Sequence, residues 1–219
     1  LNALALMFVI LKQSQRHLRK MGAFQIIGIL AQGVLGGITV LTGLNPATVA
    51  AHFLLSIVLI AGALSLRQRV HQKTPTDLAP IPLVRKLMWA HLLLTIAVLV
   101  MGTIVTGSGP HAGDSTAERF NLDSKMMAWI HADVVIALLG VSIALLIAIK
   151  LGEGEAVKGN LGRKAQVFLL IALAQGAIGY IQYFTGLPEI IVGAHLVGAV
   201  LVWLFAWNLA ITGNLARRR

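Results

Sequence analysis

The chain has no cysteine, only eight acidic residues against eighteen Lys and Arg, and no initiating methionine. Without cysteine, disulfides, thiolate metal sites and cysteine nucleophiles are excluded within these residues. Charged residues make up 12% and hydrophobic residues 57%, with a mean hydropathy of +0.83, which excludes an ordinary soluble domain. Strand-like alternation bounded by turns is also missing, so the chain is expected to be all helical. The few prolines sit at the ends of apolar runs, as in Asn45-Pro46 and Leu187-Pro188, or in polar connections such as 75–82, where they mark helix boundaries. The opening at Leu1, inside an apolar run and without the charged start of a signal peptide, leads us to expect an amino-terminally truncated protein.

What is present in abundance is long apolar sequence. A hydrocarbon core of about 30 Å takes roughly 20 helical residues to cross. Runs of that length occupy 21–42, 48–66, 87–106, 126–149, 165–185 and 190–212, and residues 1–11 resemble the end of another. The reading is six complete spans and one partial span of an all-α integral membrane protein. The formal charge of +10 raises the question of nucleic acid, but its distribution answers it. Sixteen of the eighteen basic residues fall in the segments 12–20, 67–86 and 150–164 and in the tail at 217–219, leaving Arg119 and Lys125 on the other side. That is the positive-inside bias of a membrane protein. The basic connections and the carboxy terminus are expected in the cytoplasm, with some attraction to anionic lipid, and 43–47, 107–125 and 186–189 outside.

A repeat orders these spans. Ala31-Gln32-Gly33, Thr42-Gly43-Leu44 and His52 recur as Ala174-Gln175-Gly176, Thr185-Gly186-Leu187 and His195, all at an offset of 143 without a gap. The pair of spans at 21–66 therefore matches 165–212, and the pair at 87–149 needs a counterpart of which residues 1–11 are the end. Complete, the protein is expected to hold two tandem four-helix bundles, eight helices in all, related as same-orientation repeats. The expected organisation is 1–66 as the remainder of the amino-terminal half, 67–86 as a cytoplasmic linker, 87–212 as the carboxy-terminal half and 213–219 as a basic tail.

An ionisable side chain inside a membrane span is costly and marks function by default. His52 and His195 lie at nearly equal depth in their spans, among small neighbours such as Ala50, Ala51 and Ser56, and Gly193, Ala194, Gly198 and Ala199. Small residues favour close helix approach, and they also leave room for a flat macrocycle. His131 lies near the outward end of its own span and shares a four-helix unit with His195. Two imidazoles from different helices at matching depth are what bis-histidine haem ligation requires. Aligning Lys150 with Lys12 puts the counterpart of His131 about seven positions before Leu1, so the first unit retains half its pair.

The remaining candidates are read more plainly. His17 and His71 are expected to be solvated in cytoplasmic connections, His91 to pack at the inner interface, and His111 to be exposed in the outward loop. Asp133, two residues from His131, faces another side of its helix and is expected first to bond a neighbouring helix, with receipt of a proton or a place on a water-filled cavity as the alternatives. Glu118, Glu189, Asp114 and Asp123 are expected to be solvated at the outer surface. Gly33, Gly36 and Gly37, with Gly176 and Gly179, are read as close helix packing.

Together these pieces resemble the haem A synthase family. The resemblance rests on Gly36-Gly37-Ile38-Thr39-Val40-Leu41-Thr42-Gly43-Leu44-Asn45-Pro46 with His52, on the run from Gly102-Thr103-Ile104-Val105-Thr106-Gly107 to Pro110-His111-Ala112-Gly113-Asp114, on Ile130-His131-Ala132-Asp133, and on Gly186-Leu187-Pro188 with Ala194-His195-Leu196-Val197-Gly198. It implies an eight-helix enzyme that oxidises the C8 methyl of haem O through hydroxylated intermediates to the formyl of haem A, for terminal oxidases. It also implies a haem B cofactor held by His131 and His195, through which electrons leave, and His52 as an axial ligand of the substrate haem O. The family's other substrate-side histidine and its catalytic glutamate belong upstream of Leu1, so no catalytic residue is assigned within this chain, which is expected to be inactive alone. The cysteine pair that some members carry in outward loops is absent here.

The implied setting is a prokaryotic plasma membrane, with terminal oxidase assembly, haem O synthase, membrane lipid and further copies of the chain as expected partners, and no nucleic acid. A dihaem bis-histidine cytochrome that only transfers electrons is the alternative, using the same histidines. A small-molecule transporter is a third class, disfavoured because broken helices and midplane charges are not evident.

Overall fold

The computed structural model describes residues 15–71, 80–110 and 116–213. They form six long helices: α1 (Arg16–Leu41), α2 (Pro46–His71), α3 (Pro82–Ser108), α4 (Ser124–Gly152), α5 (Arg163–Phe184) and α6 (Glu189–Thr212). One α-turn at Glu155–Val157 and a π-helical turn at Lys158–Gly162 lead into α5. No strand occurs among the described residues. All six are long and apolar enough to cross a membrane, because in lipid a chain must satisfy its backbone polar groups within itself.

The expected spans and the observed helices agree in number and place, but the helices start earlier at their basic ends. α1 begins at Arg16 and runs through Arg19 and Lys20, and α3 begins at Pro82 and runs through Arg85 and Lys86. Long basic side chains can stay helical there while their charges reach the interface. Proline at the first turn of α3 suits a position whose N–H would have no helical partner. At the start of α4, Asp123 caps the helix by accepting from Met126 N at 2.7 Å.

The two short turns are built alike. After α1, Gly43 and Leu44 take φ of 63° and 58°; after α5, Gly186 and Leu187 take 77° and 62°. Leu44 N donates to Thr39 O at 2.9 Å and Leu187 N to Gln182 O at 2.8 Å. This is the six-to-one closure of a helix whose chain turns back at once. Thr42 and Thr185 each return their hydroxyl to the carbonyl four residues earlier. The repeat is thus a repeat of conformation, including two left-handed leucines whose strain the closure must offset.

The described helices separate into two compact units. The first holds α1 and α2 packed as an antiparallel pair, together with residues 116–119. Within it Asn45 Nδ2 donates to Glu118 Oε2 at 3.3 Å, so Glu118 has a partner beyond solvent. The second unit holds α3 to α6 arranged as a square: α3 packs on α4, α4 on α5, α5 on α6 and α6 on α3. That leaves α4 and α6 on one diagonal and α3 and α5 on the other.

Packing in this square is uneven along its length. Towards the basic end, Val84, Met88, Leu145, Ile149, Leu161, Ala165 and Leu209 make one core cluster, and Leu138, Phe168, Ala172, Val202 and Ala206 make the next. Glu153 Oε1 accepts from Ile81 N at 2.7 Å and ties the start of α3 to the end of α4. Lys164 Nζ donates to Asn208 Oδ1 and Thr212 Oγ1 at 2.9 and 2.7 Å, tying α5 to α6. At the turn end, by contrast, buried residues are sparse: Gly107 on α3 and Met127 on α4, with none on α5 after Ala172 and none on α6 before Val202. Exposed Tyr180, Phe184 and Trp129 ring this end, with Lys125 Nζ 5.4 Å from the Trp129 ring centroid. Such aromatics suit the membrane interface.

A cradle of histidines on glycines

Three histidines stand at one register of their helices. His52 is six residues from the start of α2, His131 seven from the start of α4 and His195 six from the start of α6. At 1.5 Å per residue each lies about 9–10 Å in from the turn end. Each ring rests on a glycine of the preceding helix in its hairpin. A Cβ placed on Gly36 would lie 3.1 Å from His52 Cε1, one on Gly179 would lie 3.1 Å from His195 Cε1, and one on Gly102 would lie 3.5 Å from His131 Cε1.

The orientation is shared as well as the place. In all three rings only Cε1 and Nδ1 come within 4 Å of that Cβ position, so Nε2 is turned away from the glycine. All three Nδ1 atoms are buried without a hydrogen-bond partner. His131 comes nearest to having one, its ring directed at the Val98 backbone without closing a bond of normal geometry. The Nδ1–Cε1 edge thus lies against a glycine of the preceding helix, and Nε2 is the nitrogen left facing away from it.

Within the second unit, α4 and α6 are the diagonal helices, so His131 and His195 stand on opposite corners of the square. Around them most side chains of the four helices are partly buried or exposed, whereas protein interiors are ordinarily close packed throughout. Among the described residues no group of three or more His, Cys, Asp or Glu could hold a bare metal ion. A porphyrin brings four nitrogens of its own and needs only axial donors. Two opposed imidazoles, glycines that admit their rings and a loosely filled half-bundle fit such a group, and His131 and His195 are the residues that would hold it. In the first unit His52 has the same glycine seat; residues 1–14 lie outside the described residues.

Two glutamines complete the geometry. Gln32 Nε2 donates to the backbone carbonyl of His52 at 2.9 Å, and Gln175 Nε2 to that of His195 at 2.7 Å. In the first unit Gln32 Nε2 also bonds Ser56 Oγ, which itself donates to His52 O at 3.1 Å. Neither glutamine was singled out by the sequence reading, although both stand in the repeated Ala-Gln-Gly triplets, one turn before Gly36 and Gly179.

Several expectations are corrected. His91 does not sit at the interface: it is 2% exposed, crosses the α3–α5 diagonal and packs edge-on against Phe168 with centroids 4.3 Å apart. It forms part of the basic-end packing and not of the histidine level. Asp133 bonds no neighbouring helix among the described residues and lies exposed on α4. Gly33, Gly37 and Gly176 face open space, so helix contact belongs to Gly36 and Gly179, and what they meet is a histidine ring. His17 is exposed as expected. His111, Asp114, residues 1–11 and the basic tail from 214 lie outside the described residues, as do 72–79 of the linker and the side chain of His71.

Searches of curated proteins and of solved structures find no match. The family model of the cytochrome oxidase assembly proteins, COX15-CtaA, matches residues 1–112, just over half the chain, a stretch that contains Gln32, Gly36, His52 and Gly102. On that match the chain belongs to the COX15-CtaA family of cytochrome oxidase assembly proteins.

Proposed function

We propose that this chain is a haem A synthase, which oxidises the C8 methyl of haem O to a formyl group. The observation that carries this reading is the shared seating of His52, His131 and His195, each with Nδ1 buried against a neighbouring helix and Nε2 turned away from it. In this reading His131 and His195 would hold a haem B, and His52 would be a ligand of the substrate haem. Bound haem iron supplies the one-electron redox chemistry. The chain's own contribution is to fix imidazole direction through Gly36, Gly102 and Gly179, and to surround the site with apolar helix faces that exclude water. No acid or base within these residues is assigned to the oxidation step.

The alternative of an electron-transfer cytochrome uses the same histidines. Against it, a relay across the membrane is best served by sites near opposite faces, whereas the three histidines occupy one register near the turn end of their helices. Extraction of haems from the protein purified from membranes tests the reading. Haem O or haem A beside haem B is expected; haem B alone would leave the cytochrome, and no haem at all would remove both.

A further inference from the structure

Metal ligation needs a histidine ring; it does not need anything to hold that histidine's own carbonyl. Yet in both copies of the repeat the carbonyl is held. Gln32 and Gln175 stand four residues before Gly36 and Gly179, one turn along the same helix face, and donate to His52 O and His195 O at 2.9 and 2.7 Å. A carbonyl inside a helix already accepts from the amide four residues on, so the glutamine is an additional donor to it. Each histidine is thereby fixed at two points: its ring edge lies on the glycine, and its backbone is pinned one turn away. Two points on one residue fix the rotation of that helix about its axis, and with it the direction in which Nε2 leaves.

The glutamines are not economical packing. Oε1 of both is buried without a partner, and an unpaired buried acceptor disfavours the folded state compared with an apolar residue of similar shape. The third hairpin shows that an apolar residue suffices for packing alone: Val98 stands four residues before Gly102, and His131 has no amide clamp. The two clamped sites also differ. Ser56 adds a hydroxyl donor to His52 O at 3.1 Å, whereas the equivalent position at the offset of 143 is Ala199.

We propose that Gln32 and Gln175 are positioning residues that set the direction of the His52 and His195 imidazoles by holding the ligand residue's own carbonyl, with Ser56 as a second clasp at the first site only. The proposal rests on the haem-ligand reading of these histidines. The test uses the purified protein with its haem B, in the wild type, in Gln175→Leu, in the double variant Gln175→Leu/Ala199→Ser, and in Ala199→Ser alone. Four properties are read: haem B content, the low-spin g values by electron paramagnetic resonance, the midpoint potential and the thermal midpoint.

In Gln175→Leu we expect haem B to be retained with its largest g value and its potential shifted. Adding Ala199→Ser should return both part of the way, since a serine there donates to His195 O as Ser56 does to His52 O. Wild-type g values and potential in Gln175→Leu, whatever its thermal midpoint, would reduce the glutamine to a tie between helices and overturn the proposal. Should Gln175→Leu fail to accumulate, Ala199→Ser alone decides: a shifted g value supports the clamp, and an unmoved one overturns it. Wild-type protein lacking haem B would defeat the underlying reading instead, and is distinct from a haem B whose spectrum does not move.

Discussion

Gly179 and His195 meet across the α5–α6 hairpin so closely that a methyl group on the glycine would lie 3.1 Å from the imidazole Cε1. Gly102 and His131 leave more room, at 3.5 Å, an ordinary contact distance. The two alanine substitutions should therefore differ. Gly179→Ala must displace the ring by a few tenths of an ångström, an overpacking cost of about 1–3 kcal/mol. We expect haem B affinity to fall by roughly tenfold or more, since 1.4 kcal/mol is one decade. Gly102→Ala should leave it within about twofold. Pyridine haemochrome content of the two purified variants measures this, and equal losses would contradict the graded contact.

The ligand assignment separates by unit. His195→Ala and His131→Ala should each abolish low-spin haem B in the second unit, while His52→Ala should spare it and lower the content of haem O and haem A. Reduced-minus-oxidised spectra check the first outcome and haem extraction the second. An unchanged low-spin signal after His195→Ala would refute the pairing.

His91 should behave in the opposite way from these three. Its Nε2 is buried and unpartnered and its ring packs on Phe168, and replacing such a group by an apolar one of similar size is near neutral or stabilising. His91→Leu should keep full haem content and a thermal midpoint equal to or above that of the wild type. Loss of haem B in this variant would move His91 into the site.

Glu153 offers a test of the basic end. Its carboxylate accepts from Ile81 N at 2.7 Å in a buried position, so Glu153→Ala leaves that N–H without its partner, at about 1–3 kcal/mol. Glu153→Gln, which keeps an acceptor oxygen, should lose less. Thermal unfolding in detergent ranks the two, and the haem spectrum of whatever folds should be unaltered.

Much of this arrangement was legible in the sequence because lipid leaves the backbone so few options. Helix number, hairpin turns and the duplicated unit followed from apolar run length and the fixed offset between His52 and His195. Depth along a helix is also readable, since residues advance it uniformly, and the three histidines fall at one register as their spacing implies. What spacing conveyed less well was which side of a helix meets which neighbour. Gly33, Gly36 and Gly37 look interchangeable as small residues, yet only Gly36 is rotated onto a partner. His91 reads as interfacial from its depth and proves internal from its rotation. The glutamine clamps were missed for a different reason: an amide in an apolar run attracts less suspicion than an imidazole. Its partner, moreover, is a backbone carbonyl that no residue type announces. The signal was there in the four-residue step from Gln32 to Gly36 and its copy from Gln175 to Gly179.

The uneven filling of the four-helix square divides labour along its axis. Leucines, Phe168 and the Glu153 and Lys164 ties knit the helices at one end; the glycine seats lie at the other. Mutations near the knitted end should therefore shorten the protein's life, and those near the glycine seats should change what it carries.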